Sequence, residues 1–243
     1  MDHHAPHRTG HGHEHEHGEQ ESVLDLDAEV FGAQLGEALD LVPVTTPRRV
    51  VDLGAGTGTG TRLLRSRFPD AHLTAVDNSP AMAERLRQQG FDVHEADLDA
   101  GFPPLGPVDL VWASSSLHHV ADPAALLAGV RTALAPGGVF VVLELDGLPR
   151  FLTASEPEDR AHAAAAAAGW NHYPEWQSVL EAAGFSVTRT SLTTTAPDGP
   201  TARRYARLWF DRFAQAFGID LPEVPDGFAP RVTRTVWVAE VAR

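Results

Sequence analysis

The chain has 243 residues with 33 acidic and 19 basic side chains, and its formal net charge at pH 7 is −14. Every basic residue is arginine and cysteine is absent, which excludes thiol nucleophiles, disulfides, cysteine-held iron–sulfur clusters and lysine-based chemistry. The negative charge disfavours a nucleic-acid backbone or another polyanion as a partner. The length suits one α/β domain with insertions.

The first 21 residues differ in composition from the rest of the chain. Seven of the thirteen histidines lie between Met1 and His17, where they alternate with glutamate and glycine. Because this segment can bury little apolar surface, we expect a disordered tail over residues 1–21 and a folded domain over 22–243. The imidazoles could instead chelate Zn²⁺ or Ni²⁺. No segment has the apolar run of a signal peptide or membrane helix, which predicts a cytoplasmic protein.

The next elements follow a regular alternation. Apolar residues from Leu24 to Val42 recur every three or four positions and predict a helix. Beyond it, β-rich runs alternate with segments of helical spacing, which predicts a parallel sheet covered by helices on both faces. The predicted strands lie at about 48–53, 72–77, 91–95, 108–113 and 139–145, and the predicted helices at about 59–68, 80–89 and 123–135.

The segment between the first strand and its helix carries the most information. Gly54, Gly56 and Gly58 alternate soon after Asp52, so the chain turns where bare backbone can touch a ligand. The dinucleotide spacing Gly-x-Gly-x-x-Gly occurs in no register of this turn. The turn therefore suits a short, flat, nucleotide-like ligand that needs no pyrophosphate site.

The regularity decreases after residue 145. Two more β-rich runs, Phe185–Thr195 and Val232–Val241, are separated by a predicted helix at about Thr201–Phe217. We expect insertions near 147–176 and 198–230 to cover a substrate. The aromatic residues in these segments would either line a crevice or form ordinary core: Trp170, Tyr173, Trp176, Tyr205, Trp209 and Phe213.

Five segments in order resemble the class I S-adenosylmethionine (SAM)-dependent methyltransferases. They are Asp-Leu-Gly-Ala-Gly-Thr-Gly at 52–58, the strand ending in Asp77, the acidic segment 95–98, the strand and Ser/His segment 108–120, and the turn and strand 134–142. The resemblance is close over about 48–145 and looser towards the C-terminus. It implies SAM as the cofactor. It also implies an α/β fold with a doubly wound, Rossmann-like, mostly parallel seven-stranded sheet, helices on both faces and an antiparallel edge strand.

The resemblance places the cofactor at the carboxyl edge of the sheet. Asp77 would accept from both ribose hydroxyls, or it could cap the following helix. Asp97 would lie near the adenine amino group, or it could be an ordinary loop acid. The implied cofactor-binding residues are Asp52, Gly54, Ala55, Gly56, Thr57, Gly58, Asp77, Asn78, Asp97, Leu98 and Ser114.

Methyl transfer from a sulfonium needs alignment, and it needs a base only when the acceptor carries a proton. His118 and His119 follow the fourth strand at the ligand edge, and an ordinary imidazole pKa near 6.5 suits proton transfer. Either could instead bond nearby backbone and shape the cofactor pocket. His172 is a third candidate, and Glu144 and Asp146 after the fifth strand are alternatives. No metal site is predicted.

Together these features predict a SAM-dependent methyltransferase that acts on a small molecule by in-line displacement. One alternative is another SAM-using enzyme of the same fold, which catalyses cyclisation or aminocarboxypropyl transfer. A second alternative is a non-catalytic SAM-binding module, although the intact turn with both Asp77 and Asp97 argues against a degenerate site. The glycine spacing and the absence of a Tyr-x-x-x-Lys pair disfavour a nicotinamide-dependent dehydrogenase.

Overall fold

The computed structural model describes the backbone of residues 11–170 and 175–242, and the side chains of 23–170 and 175–242. Within these residues, one sheet of seven strands is covered by seven α-helices. The strands are β1 Arg49–Leu53, β2 His72–Asp77, β3 Asp92–Glu95, β4 Val108–Ser114, β5 Leu134–Leu145, β6 Phe185–Thr195 and β7 Arg231–Val241. The helices are α1 His11–Asp40, α2 Thr59–Arg67, α3 Pro80–Gln88, α4 Pro123–Ala133, α5 Glu156–Ala167, α6 Trp176–Ala182 and α7 Pro200–Phe217.

The sheet has the strand order β3-β2-β1-β4-β5-β7-β6. Strands β1 to β5 pair in parallel, whereas β7 pairs antiparallel with both β5 and β6. The antiparallel strand β7 therefore lies one place in from the edge strand β6. This arrangement confirms the predicted doubly wound, mostly parallel α/β fold. The strand order reverses between β1 and β4, where open α/β sheets bind their ligands.

The central strands are apolar on both faces because helices cover both sides of the sheet. Val50, Leu110 and Trp112 pack on one face with residues from α1 and α2. Val51 and Val111, one position along in each strand, pack on the other face with residues from α4 and α6. The alternation of side chains along each strand thus divides the same apolar run between two cores.

Helix α1 is longer than the sequence predicted. It begins at His11 rather than near Leu24, so the backbone of the second half of the histidine-rich segment is helical. Residues 11–21 contain no proline, and nothing in them interrupts the helix. Residues 1–10, and all histidine side chains up to His17, lie outside the described part of the chain. Chelation by these histidines therefore stays a prediction.

Strand β5 also begins earlier than expected, at Leu134 rather than near Val139. Leu134 pairs with Val108 and Val139 pairs with Leu110, so five steps along β5 correspond to two along β4. The extra residues, which include Gly137 with a φ of +81°, form an irregularity in the ladder. The turn predicted from Pro-Gly-Gly is therefore contained within the strand.

The two last β-rich runs pair with each other, and the predicted helix lies between them. Strands β6 and β7 pair over eleven residues, from Phe185 with Val241 to Thr195 with Arg231. Helix α7 lies in the connection between them and packs against α1 through Tyr205, which contacts Phe31. Along the described residues, no helix combines the length and hydrophobicity needed to cross a bilayer.

Candidate active site

A cleft at the carboxyl edge of the sheet consists of two adjoining chambers. The outer chamber has a volume of about 430 Å³ and is lined by Leu24, Gly54, Gly56, Asp77, Asn78, Ser79, Met82, Asp97, Leu98, Asp99, Ser115, Ser116, His119 and Val120. The inner chamber has a volume of about 110 Å³ and is lined by Leu24, Asp27, Ala28, Phe31, Gly32, Leu35, Asp52, Gly54–Thr57, Thr59, Gly60, Ser114, Ser115 and Arg234. Four residues line both chambers and mark their junction: Leu24, Gly54, Gly56 and Ser115.

The glycine turn forms the floor between the chambers. Gly54, Gly56 and Gly58 have φ values of +67°, +52° and +86°, a region that only glycine adopts readily. A Cβ on Gly56 would have no atom within 4 Å, whereas one on Gly54 would lie 2.4 Å from Cβ of Ser116. Gly56 therefore presents open backbone to the cleft. This cradle, which a side chain would fill, fits a ligand that lies directly on the turn.

Ten of the eleven predicted cofactor-binding residues line one chamber or both, and Gly58 does not. A Cβ on Gly58 would lie 3.0 Å from Leu86 and 3.1 Å from the amide of Gln89, so this glycine permits close packing of α2 on α3. Gly58 also precedes α2 in the left-handed region. Its place in the motif thus reflects the path of the backbone rather than a contact with the cleft.

Asp77 connects the end of β2 to the glycine turn. The N–H of Gly56 donates to its Oδ2 at 2.8 Å, and the N–H of Ser79 donates to its Oδ1 at 2.9 Å. The cap of α3 is Ser79, whose hydroxyl accepts from the N–H of Met82, so Asp77 does not cap the helix. A carboxylate has about four acceptor positions. Asp77 can therefore hold the turn and still accept from a ligand in the outer chamber.

Asp97 and Leu98 lie at the opposite wall of the outer chamber. The carboxylate of Asp97 is exposed and accepts from the N–H of Asp99 at 3.0 Å, which starts a short 3₁₀ turn. Asp99 in turn accepts from the N–H of Ala121 and joins this turn to the loop after β4. Asp97, the acid predicted to lie near the adenine, is thus on a loop that a hydrogen bond connects to the segment after β4.

Asp52 is a buried carboxylate in the inner chamber. Its exposed fraction is 2%, and its Oδ2 accepts from the hydroxyl of Thr61 at 2.6 Å. Burial raises the pKa of Asp52 from 3.8 to about 7, the hydrogen bond from Thr61 opposes this rise, and the charge of Asp77 adds to it. A positive charge bound beside Asp52 would lower this pKa and favour the ionised carboxylate.

The two adjacent histidines after β4 have different surroundings. Nδ1 of His118 lies 2.8 Å from Oε2 of Glu144, a carboxylate with no exposed surface that also accepts from the N–H of Leu117. His118 does not line either chamber, whereas His119 lines the outer one. Partial burial, and then the charge of His118, lower the pKa of His119 below 6.5, so His119 is neutral at pH 7. His172 lies outside the described residues.

Two other sequence hypotheses concern residues away from the cleft. Asp146 accepts from the hydroxyls of Thr235 at 2.6 Å and Ser191 at 3.3 Å, and it lies outside both chambers. The described members of the aromatic set do not line the cleft either. They pack in the hydrophobic core, the second of the two readings: Trp176 in the core beneath the sheet, and Trp170, Tyr205, Trp209 and Phe213 between α5 and α7.

Two charged residues of the inner chamber were missed from the sequence, Asp27 of α1 and Arg234 of β7. Their side chains form a partly buried ion pair, although they are 207 positions apart. A signal existed for Asp27, because it lies three residues after Leu24 and four before Phe31 on the apolar face of the predicted helix. Ser115 was also missed. It has a φ of +52°, a strained value for a residue with a side chain.

Similarity to known proteins agrees with this geometry. Residues 51–140 match a family model described as a methyltransferase domain. A trans-aconitate 2-methyltransferase of Methylobacterium nodulans is 37% identical over 162 residues, which is 62% of this chain and 62% of the relative. One of Acidovorax sp. is 43% identical over 114 residues, or 46% of this chain and 44% of the relative. The chain therefore spans less than two thirds of the length of these relatives.

Solved structures support the same fold. The precorrin-6y C5,15-methyltransferase of Geobacter metallireducens superposes with a TM-score of 0.52 at 13% identity, covering 86% of this chain and 87% of that one. At this identity the likeness concerns the fold alone. Residues 51–140 therefore resemble a methyltransferase domain, and the strand order of the sheet gives the chain the doubly wound α/β fold that the sequence predicted.

Proposed function

We propose that this chain is an enzyme that transfers a methyl group from SAM to a small-molecule acceptor. The observation that carries the proposal is the meeting of the two chambers at the open backbone of Gly56, between Asp77 on one side and Asp52 on the other. The cofactor would extend across this junction. Its adenosine would occupy the larger outer chamber, and its aminoacyl end would enter the smaller inner one.

The residues of each chamber suit these parts of the cofactor. Asp77 would accept from the ribose hydroxyls, and Asp97 and Leu98 would hold the adenine. Beyond Gly56, the turn residues Ala55 and Thr57 and the carboxylate of Asp52 would surround the aminoacyl end. When bound, SAM supplies a methyl group already activated by its sulfonium, so the chain mainly has to align the acceptor and exclude water.

The acceptor must approach the junction of the chambers, where Leu24 of α1 and Ser115 after β4 lie. Helix α7, from the insertion near 198–230, packs on α1. We therefore propose that α1 and the two insertions shape the route of the acceptor.

The first acceptor to test is trans-aconitate, which is named in the relatives of this chain. A carboxylate acceptor is already deprotonated at neutral pH and needs no general base. An acceptor with a hydroxyl, phenol or ammonium group would need one, and His119 is better placed for this role than His118 because it lines the outer chamber. The net charge of −14 supports the absence of a nucleic-acid partner. A cytoplasmic location stays a prediction.

The test is incubation of the protein with methyl-labelled SAM and either trans-aconitate or acceptors that carry a proton, followed by mass spectrometry of product and by-product. Methyl transfer yields labelled product and S-adenosylhomocysteine. Aminocarboxypropyl transfer instead leaves methylthioadenosine, and a cyclisation that takes no carbon from the methyl group of SAM leaves the acceptor unlabelled. Tight SAM binding without any product across the acceptor set would favour the non-catalytic module.

A further inference from the structure

Arg234 is a buried cation in the wall of the inner chamber. Only 3% of its surface is exposed, and on β7 it lies between Leu145 of β5 and Leu192 of β6. It is the only arginine among the described residues that line either chamber. Burying a charge opposes folding, and a well-packed apolar side chain would usually stabilise a core at least as well. The presence of arginine here therefore indicates a use beyond packing.

The guanidinium is only partly satisfied by the protein. Nη1 donates to Oε1 of Gln34, and Nη2 donates to Oδ2 of Asp27. The other carboxylate oxygen of Asp27, Oδ1, accepts from the hydroxyl of Tyr205 at 2.9 Å. Nε is buried and has no hydrogen-bond partner among the described residues. A guanidinium has five N–H donors in a fixed fork. Arg234 therefore retains donor capacity beside the chamber that it lines.

The charges of the inner chamber match an amino-acid end. Such an end carries one carboxylate and one ammonium, and the chamber offers one cation, Arg234, and two acids, Asp27 and Asp52. Among the described residues that line this chamber, Arg234 is the only basic one, since residues 23–40 of α1 and the turn over 54–60 contain none. Planar recognition of a carboxylate is the interaction for which arginine is best suited.

We propose that Arg234 binds the α-carboxylate of the aminoacyl end of SAM, and that Asp27 and Gln34 hold the guanidinium in place for this contact. The proposal rests on the proposed function, because it requires the aminoacyl end to enter the inner chamber. It makes the site selective for adenosyl compounds that carry a carboxylate. It also links occupancy of the chamber to the contact between α1 and β7.

The test compares the equilibrium binding of SAM and of decarboxylated SAM by calorimetry, without any acceptor. The two ligands share the adenosine, the sulfonium and the ammonium, so the ratio of their affinities reports on the carboxylate alone. In the unaltered protein SAM should bind about ten- to hundredfold more tightly. Arg234→Met should reduce this ratio to about threefold or less, while decarboxylated SAM still binds and so shows that the variant folds.

A second variant changes the ratio in the opposite direction. Asp27→Asn removes the counter-charge of Arg234, so the carboxylate of SAM interacts more strongly with the guanidinium. The ratio of the affinity for SAM to that for decarboxylated SAM should therefore rise. Arg231→Met is the matched control, because Arg231 lies on the same strand but outside both chambers, and it should keep the original ratio. An unchanged ratio in Arg234→Met would overturn the proposal. If that variant does not fold, a ratio that fails to rise in Asp27→Asn would overturn it.

Failure of the inference is distinguishable from failure of the proposed function. Gly56→Val should abolish binding of both ligands if the cofactor lies on the turn. If both ligands still bind to Gly56→Val with normal affinity, the proposed placement of the cofactor is wrong, and the inference about Arg234 fails with it. If Gly56→Val blocks both ligands but Arg234→Met keeps the original ratio, only the inference fails.

Discussion

Replacing Asp52 by asparagine should stabilise the free protein while weakening its binding of cofactor. Asp52 is buried and has no cationic partner among the described side chains, and burial raises its pKa to about 7. Asparagine has nearly the same size and its side-chain oxygen can still accept from Thr61. The substitution therefore removes a costly buried charge at alkaline pH without leaving a cavity.

The magnitude follows from the pKa. In the unfolded chain Asp52 ionises near its ordinary value of 3.8, whereas in the folded protein it holds its proton up to about pH 7. Between these values the folded state binds the extra proton, so the free energy of unfolding falls as the pH rises and is constant above the window. At 1.36 kcal/mol per pKa unit, the loss is on the order of 4 kcal/mol. Asp52→Asn should avoid it.

Urea denaturation of the unaltered protein and of Asp52→Asn at several pH values between 4 and 8 measures this difference. The two stabilities should diverge as the pH rises, with the variant more stable at pH 8. Calorimetry should show that Asp52→Asn, although more stable, binds S-adenosylhomocysteine more weakly at pH 8. In the variant the ammonium of this ligand lacks the counter-charge of Asp52, which weakens affinity about ten- to hundredfold. At pH 5.5 the two proteins should bind the ligand alike. A variant that is less stable at pH 8, or that binds as tightly there as the unaltered protein, would refute the reasoning.

Three further outcomes are expected. Asp77→Ala leaves two backbone N–H groups unpaired, so it should lower the free energy of unfolding by about 2–4 kcal/mol and weaken S-adenosylhomocysteine binding at least tenfold; unchanged affinity in calorimetry would contradict the ribose assignment. Gly56→Val should abolish this binding, whereas Gly137→Val, at an equally open glycine with positive φ outside the cleft, should bind normally despite a similar loss of melting temperature; a Gly56 variant that binds would show that the turn is only structural. With an acceptor that carries a proton, His119→Ala should lower kcat about 10²–10⁴-fold and remove the acidic limb of the rate profile. That limb should lie below pH 6.5, because the pKa of His119 is lowered. Near-full kcat would exclude His119 as the base, and His118→Ala serves as the comparison.

The central part of this protein was predictable because its signals are local. Each strand that reaches the cleft ends in a polar or glycine-rich segment, and the carboxyl ends of parallel strands necessarily meet at one edge. This is why Asp52, Asp77 and Asp97 could be assigned to one cleft from the sequence alone. Helix starts were equally clear, since Ser79-Pro80 and Asp122-Pro123 place a cap before a proline and both pairs begin helices.

Other assignments required the tertiary structure because they depend on whether a residue faces the cleft or packs against the rest of the protein. His118 and His119 are indistinguishable in the sequence, yet one contacts the buried carboxylate of Glu144 and the other lines the outer chamber. Gly58 fits the motif as well as Gly56 does, but Gly58 faces α3 at its contact with α2, whereas Gly56 faces open space.

By itself the sequence determined the alternating sheet, the glycine turn and the acids at the strand ends, since each depends on periodicity or spacing within about 30 residues. Only the tertiary structure brought Asp27 and Arg234 together, because the pair joins the first helix to the last strand across nearly the whole chain. The aromatic residues of α7 form core for a related reason. Their helical spacing defines a face, but the position of α1 and α5 beside them decides that this face is covered.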